Sequence, residues 1–521
     1  MLVAATWALS CALWCAQWCV LGALLCVALG LCALCAGTLV AALCSVLLAL
    51  VNGADVAQLR RWVARSGWGF RLALWLALAL DWCVRGSLGV VRLVRRLCGL
   101  SACGDGSWSA GAAAKAGLAL AARTECGGAP LGFEDHFHDA CLRASLADLR
   151  ESEFRQYANS FPLGRVLQKK LCVEAAHRRL SLRGACAPAL PVPLFVVSLP
   201  RSGSTWLHRL LALDPGSRCA RAWELQFPTR CSVDCGASRA ERAAWSRKVM
   251  EAFYDLVPQF KAIHHVRFDE PDECVTGFVD GLYPEHFCWG LLEMPRTHAL
   301  YTQRSVAPQY RNYRRLLQAV LADEREEAER LAEAATLTPT PTPTPTSTPR
   351  SYDKTVLKSP HHLLKLEDLA EEFPNAVLLF LHRDPGDVVG SCCSMNQAVL
   401  DCVCPWYVPP SVLGERTLRR LGEAVDAGMD ARARLEGRPG LTLVDLALAE
   451  LKRDPEAALR RVYRDAGLHF SDAFATALRA DLVRAEAEPP VSKHAYSLFD
   501  FGLDRAVVAE RFARYNSRHP M

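Results

Sequence analysis

The sequence predicts an α/β architecture, a parallel sheet covered by helices on both faces, joined to N-terminal transmembrane helices. Three observations carry that prediction. All 54 residues before Asp55 lack a charged side chain and are mostly Leu, Ala, Val, Cys and Trp. Further along, Leu194 to Leu213 and Thr355 to Ser391 each alternate apolar strands, tight loops and helical spacing. The size fits, because 521 residues at 51% hydrophobic and 22% charged bury a large core and exceed one typical domain. A wholly disordered or fibrous chain is excluded. The formal charge of +5, from 60 basic and 55 acidic side chains, is small for this length and makes no case for nucleic acid as a partner.

A membrane-spanning helix needs roughly 20 apolar residues, and Ala4 to Leu50 holds more than twice as many, with scattered polar side chains such as Gln17 and Thr38. Residues 1–54 therefore read as the transmembrane segment. One long tilted helix fits, as does a two-helix hairpin turning near Gly30 and Gly37, which is the preferred form. No basic region precedes this run and no cleavage boundary follows it, so a removed signal peptide fits poorly. Residues 55–100 are a basic interfacial flank: Arg60, Arg61, Arg65, Arg71, Arg85, Arg92, Arg95 and Arg96 are opposed only by Asp81 between 56 and 100. Within it, Leu72 to Leu80, near Trp68, Trp75 and Trp82, reads as an interfacial helix in contact with anionic membrane lipids. The positive-inside rule keeps this flank on the cytoplasmic side.

Twenty-three cysteines suggest a disulfide scaffold, but Cys11, Cys15, Cys19, Cys26, Cys32, Cys35 and Cys44 lie in the apolar anchor, where they act as small hydrophobes. The spacings of Cys231 with Cys235 and Cys402 with Cys404 lack the paired CxxC pattern of a zinc site, so no metal is expected. Residues 101–130, rich in Gly, Ala and Ser, form a linker. The globular domain spans 131–515, with a low-complexity insertion at 336–350. There Thr338 to Pro349 alternates Thr and Pro, so the ladder donors are missing and the segment extends as exposed polyproline-like coil. Arg314 to Ala335, just before it, has the apolar spacing of a surface helix.

Leu194-Phe-Val-Val-Ser-Leu199 is an apolar run suited to a buried strand, and the helical pattern after it, through Leu207, Leu210, Leu211 and Leu213, stops at Pro215. The loop between them, Pro200-Arg-Ser-Gly-Ser-Thr-Trp206, turns unpaired backbone N–H groups toward whatever lies in front of it. Gly203 admits a close backbone approach, Ser204 and Thr205 add hydroxyls, and Arg201 adds a permanent charge. The loop is P-loop-like, yet the Gly-Lys pair that a nucleoside triphosphate needs is absent. In the second unit, strand Thr355 to Lys358 leads to a helix across Leu363 to Phe373. Strand Ala376 to Leu381 and the turn Arg383-Asp-Pro-Gly386 follow. Ser391 stands eight residues after Arg383, two helical turns on, so guanidinium and hydroxyl close on one further phosphate.

With both loops in hand, the chain resembles the sulfotransferases that use 3′-phosphoadenosine 5′-phosphosulfate (PAPS). Leu199 to Leu207 matches that family's 5′-phosphosulfate motif, and Arg383 to Ser391 its 3′-phosphate motif. Four further segments resemble a bacterial and protist branch: Asp269-Glu-Pro-Asp-Glu-Cys274, Leu357-Lys-Ser-Pro-His-His362, Asp454-Pro455, and Tyr496-Ser-Leu-Phe-Asp-Phe-Gly-Leu503. The resemblance covers about residues 190 to 515 and implies the sulfotransferase fold. It implies that Arg201, Ser202, Gly203, Ser204 and Thr205 hold the phosphosulfate, that Trp206 stacks on adenine, and that Arg383 and Ser391, helped by Lys493, hold the 3′-phosphate. Arg201 and Lys358 also rank as catalytic candidates. For the base that takes the acceptor proton, Glu224, His361, His362, His264 and His265 are candidates, with Glu224 and His362 favoured.

The expected activity is transfer of the sulfuryl group of PAPS to a hydroxyl of a carbohydrate, lipid or other small acceptor, without a metal. A P-loop nucleotide kinase-like enzyme and a non-catalytic membrane scaffold are the alternatives. Resemblance to anchored members of the family favours the Golgi, whereas the arginine flank favours the cytosol.

Overall fold

Leu194 to Val197 offers no polar side chain to either face, so only a sheet covered on both sides accommodates it. In the computed structural model, which describes residues 188–228, 238–256, 266–281, 293–337, 351–403, 408–487 and 496–520, this run is the middle of strand β1 (Val192–Ser198), with Leu194, Phe195, Val196 and Val197 wholly buried. Two neighbours are equally closed, β3 (Lys354–Lys358) and β4 (Val377–His382). Short β2 (Ser217–Cys219) and half-buried β5 (Thr442–Ala447) form the edges. All pairings are parallel, in the order β2-β3-β1-β4-β5. From β1 the chain moves to one side for β2 and β3, then crosses to the other for β4 and β5, so a crevice opens at the carboxyl ends beside β1.

The helices around this sheet include α1 (Ser204–Leu211), α2 (Ala222–Gln226), α3 (Arg239–Leu256), α4 (Ala307–Leu337), α5 (Pro385–Val403), α6 (Pro410–Leu435), α7 (Leu448–Arg453), α8 (Pro455–Asp465), α9 (Asp472–Ala487) and α10 (Ala513–Arg518). The period of two along β1 divides the core between faces. Leu194 and Val196 join Leu207 and Leu210 of α1, Leu459 and Val462 of α8, and Phe474 and Leu478 of α9. On the other face the Phe195 ring meets the Phe373 ring edge-on at 5.1 Å. Each such apolar side chain stabilises the fold by about 1.5 to 3 kcal/mol relative to exposure.

Most sequence expectations fall within a residue or two of these elements, including the start of α8, where the Asp454 side chain accepts the Ala457 N–H ahead of Pro455. Two differ. The helix expected across Leu363 to Phe373 is a 3-10 turn (Pro360–Leu364) and a separate helix (Leu366–Glu372), divided at Lys365, whose backbone (φ −140, ψ 43) is not helical. Helix α4 begins earlier than the surface helix foreseen. Its first half is core, with Tyr310, Tyr313, Leu316, Leu317 and Val320 buried.

The transmembrane segment, the interfacial flank, the linker, the first part of the globular domain (131–187) and the Thr-Pro repeat lie outside the described residues, as do Lys493, His264, His265, Cys231, Cys235 and Cys404. Among the described residues no helix is long and apolar enough to cross a membrane, and Cys219, Cys274, Cys392 and Cys393 are buried free thiols.

Candidate active site

The first loop leaves β1 at its carboxyl end and enters α1 through two residues in the left-handed region, Arg201 (φ 63) and Gly203 (φ 86). Glycine is required at 203 twice over, because a Cβ there would lie 2.8 Å from Leu448 Cδ1 at the start of α7. Arg201 is a different matter. A side chain in this conformation costs of order 1 kcal/mol or more and persists only where its surroundings hold it. They do so from both ends: Arg201 Nε donates to Ser391 Oγ at 3.0 Å, and Arg383 Nη1 donates to the Arg201 carbonyl at 2.7 Å. The two loops, far apart in sequence, are thus one structure.

Parallel pairing of β1 with β3 brings in a third cation. Lys358, the last residue of β3 and 1% exposed, donates to Thr205 Oγ1 at 3.2 Å and to Glu273 Oε1 at 2.6 Å. Glu273 reaches this position because the acidic turn before it is stitched to the start of α2: the Ala222 and Trp223 N–H groups donate to the carbonyls of Glu270 and Phe268, and the Asp272 N–H to that of Ala220. Glu273 lies within the Asp269 to Cys274 segment, which the sequence alone ties to no role. Its partner Lys358 stands 85 residues away, so only the tertiary fold reveals the pair.

Ser202 and Ser204 are buried within the loop. Trp206 is partly buried and packs against the core. Arg201, Arg383 and Lys358 therefore surround the loop with positive charge, partly offset by Glu273 and by Asp387, 3.4 Å from Arg383 Nη2. A cradle of backbone N–H groups with three cations is built for anions.

The favoured bases lie differently than foreseen. Glu224 is 1% exposed and closes the start of α2. Its Oε1 accepts from Arg218 Nη2 at 2.7 Å and Arg239 Nη2 at 2.6 Å, and its Oε2 from the Arg221 N–H at 2.9 Å. Burial alone raises such a carboxyl, but Arg218, and then Arg239, outweigh it and hold Glu224 below the usual carboxylate range. Glu224 thus sits in a buried ion-pair network with Arg218 and Arg239. Glu224→Gln is expected to lower stability by about 3 to 5 kcal/mol, as loss of one partner of a buried ion pair does, while leaving the shape of the pH–rate profile unchanged. Thermal melts and initial rates across pH check both.

His362 is wholly buried among Phe195, Phe278 and Tyr310, with Nδ1 3.0 Å from the Tyr310 hydroxyl. Burial, reinforced by neighbouring His361, pushes it down to about 3. A proton arriving there is strongly disfavoured. His361 is also buried, its Nδ1 3.0 Å from Ser359 Oγ.

Taken together, these contacts define an α/β protein in which two cationic loops, rather than one lysine-bearing loop, meet at the carboxyl ends of a parallel sheet. The chain belongs to the sulfotransferase family, whose model matches residues 193–472. A curated relative, the omega-hydroxy-beta-dihydromenaquinone-9 sulfotransferase Stf3 of Mycobacterium bovis, is 26% identical over 296 residues, and that match covers 55% of this chain and 66% of the relative. The counterpart in Mycobacterium tuberculosis matches equally. Among solved structures, the sulfotransferase STF9 of Mycobacterium avium superposes with a TM-score of 0.60 at 19% identity, over 81% of this chain and 99% of that one. The sulfotransferase STF1 of Mycobacterium tuberculosis gives 0.57 at 21%, over 78% and 98%. At these identities the likeness is one of fold.

Proposed function

We propose that the protein moves the sulfuryl group of PAPS to a hydroxyl of a lipid-like acceptor. The observation that carries this reading is the pair of contacts between loops 182 to 190 residues apart, Arg383 on the Arg201 carbonyl and Arg201 on Ser391. A donor phosphorylated at both ends calls for two such cradles at one distance, whereas a triphosphate kinase calls for lysine where Ser204 stands. In this reading Arg201, Ser202, Gly203, Ser204 and Thr205 hold the phosphosulfate, Arg383 and Ser391 hold the 3′-phosphate, Lys493 adds a contact and Trp206 serves the adenine.

The base is Glu273. The acceptor oxygen attacks sulfur as the bond from sulfur to the bridging 5′-phosphate oxygen breaks. The hydroxyl proton passes to the Glu273 carboxylate, and 3′-phosphoadenosine 5′-phosphate leaves with the electron pair. Lys358, bonded to both Thr205 and Glu273, neutralises charge on the leaving phosphate and frees the carboxylate as it turns toward the donor. A lipid-like acceptor is favoured by the relative named for a hydroxylated dihydromenaquinone and by the apolar segment 1–54, which would hold the enzyme on a membrane. An endomembrane location, the Golgi by family analogy, belongs to the same reading, and protease protection of membrane fractions reads its sidedness.

3′-Phosphoadenosine 5′-phosphate at 100 times its Kd is expected to stabilise the protein by about 2.7 kcal/mol, raising Tm by several degrees, while ATP with magnesium leaves Tm unchanged. Stabilisation by ATP alone would overturn PAPS as the donor. Labelled PAPS incubated with membrane lipid extracts then identifies the acceptor pool.

A further inference from the structure

The turn after β4 carries more negative charge than an anion cradle calls for. Arg383 is its cation, but Asp384 and Asp387 follow directly in the same turn. A second cation comes from far along the chain. Arg505 opens the short helix Arg505–Arg511, which Asp504 caps by accepting the Val507 N–H at 2.8 Å. From there the Arg505 guanidinium spans both carboxylates: Nη2 donates to Asp387 Oδ1 at 2.9 Å and Nη1 to Asp384 Oδ2 at 3.3 Å. Gly386 admits this reach, since a Cβ there would lie 3.0 Å from Arg505 Nη1. Asp387 is thereby shared between two arginines. Its Oδ2 lies 3.4 Å from Arg383 Nη2, the longer of the two pairings.

The backbone of this turn is held by other contacts. The Asp384 side chain accepts the Gly386 N–H at 2.6 Å, the Asp384 carbonyl accepts the Asp387 and Val388 N–H groups at 3.1 Å, and the Tyr496 hydroxyl donates to the Asp387 carbonyl at 3.3 Å. The Arg505 side chain is 68% exposed, so what it brings to the turn is charge. Two arginines balance two aspartates. Without Arg505 one arginine faces two aspartates, and the net negative charge repels a phosphate dianion. Asp387 would then turn its whole charge on Arg383 and compete with the phosphate for it.

We propose that Arg505 is a positioning residue for the 3′-phosphorylated donor: it neutralises the two aspartates of the turn and draws Asp387 off Arg383, leaving the Arg383 guanidinium to the phosphate. The inference rests on the donor reading above. Arg383 keeps its bond to the Arg201 carbonyl throughout, and the 5′ cradle, built on β1 and α1, does not involve Arg505. The effect is therefore confined to ligands that carry a 3′-phosphate.

Calorimetry on the full chain with 3′-phosphoadenosine 5′-phosphate and with adenosine 5′-phosphate separates this role from a scaffolding one. Arg505→Ala is expected to weaken the first ligand about fivefold at low salt, the upper end of what an exposed ion pair supplies, and to change the second by less than about twofold. The difference should shrink at about 1 M salt, where the Debye length falls to about 3 Å. Combining Arg505→Ala with Asp387→Asn restores the charge balance and is expected to recover affinity to within about twofold of the unaltered protein. Asp387→Asn by itself should tighten the first ligand about twofold. Equal losses for both ligands, no loss, a double variant as weak as Arg505→Ala, or a weakened Asp387→Asn would overturn the proposal. Failure of the unaltered protein to bind the 3′-phosphorylated ligand would instead refute the donor reading, and this inference would fall with it.

Discussion

Arg383→Ala is expected to abolish PAPS-dependent transfer and to weaken 3′-phosphoadenosine 5′-phosphate by at least about a hundredfold, the equivalent of one or two charge-assisted hydrogen bonds. The side chain has two tasks. In the free protein it donates to the Arg201 carbonyl and so keeps a left-handed residue in place. In the proposed complex it meets the 3′-phosphate. The guanidinium is 24% exposed, so its removal leaves no unpaired charge in the core, and Tm should fall by only a few degrees. Calorimetry on the folded variant checks the expectation. Undiminished ligand affinity would separate this loop from donor binding.

Glu273→Gln is expected to lower kcat by about a thousandfold, in the range for loss of a general base, with donor KM little changed because the amide oxygen still accepts from Lys358. Unaltered kcat would remove Glu273 from the chemistry. Comparison with Glu224→Gln is informative because the two carboxylates share a residue type and differ only in partners. Glu224 is enclosed by Arg218, Arg239 and the Arg221 N–H, whereas Glu273 meets a lysine that also touches the donor loop.

The two loops that meet beside β1 were readable in the sequence because their signals are local. An apolar run stopped by Pro200, with a helical pattern after it, places the first loop at a strand end. Eight residues on a helix bring Ser391 to the side of Arg383. The surroundings of the candidate bases were not readable for the opposite reason. Nothing near Glu224 in the sequence announces that Arg239, 15 residues on, returns to it. Nothing near His362 announces that Phe195, Phe278 and Tyr310 enclose it. Local spacing offered these residues as free reactive groups, and tertiary packing gave them structural tasks. The division at Lys365 was hidden too, because the apolar positions from Leu363 to Phe373 keep a helical period through one non-helical residue.

The contacts that join the site also say when in folding it can exist. Thr205 to Lys358, Arg383 to Arg201 and Arg201 to Ser391 close loops of 153, 182 and 190 residues. Such distant closures form late and slow the search for the native state. A nascent chain released before residue 391 has half a cradle and no grip. Closure entropy grows only with the logarithm of length, so the Thr-Pro repeat from Thr338 to Pro349 inside these loops adds only about 0.1 kcal/mol. The same long-range wiring that delays assembly makes this stretch of chain an inexpensive place for lineages to vary.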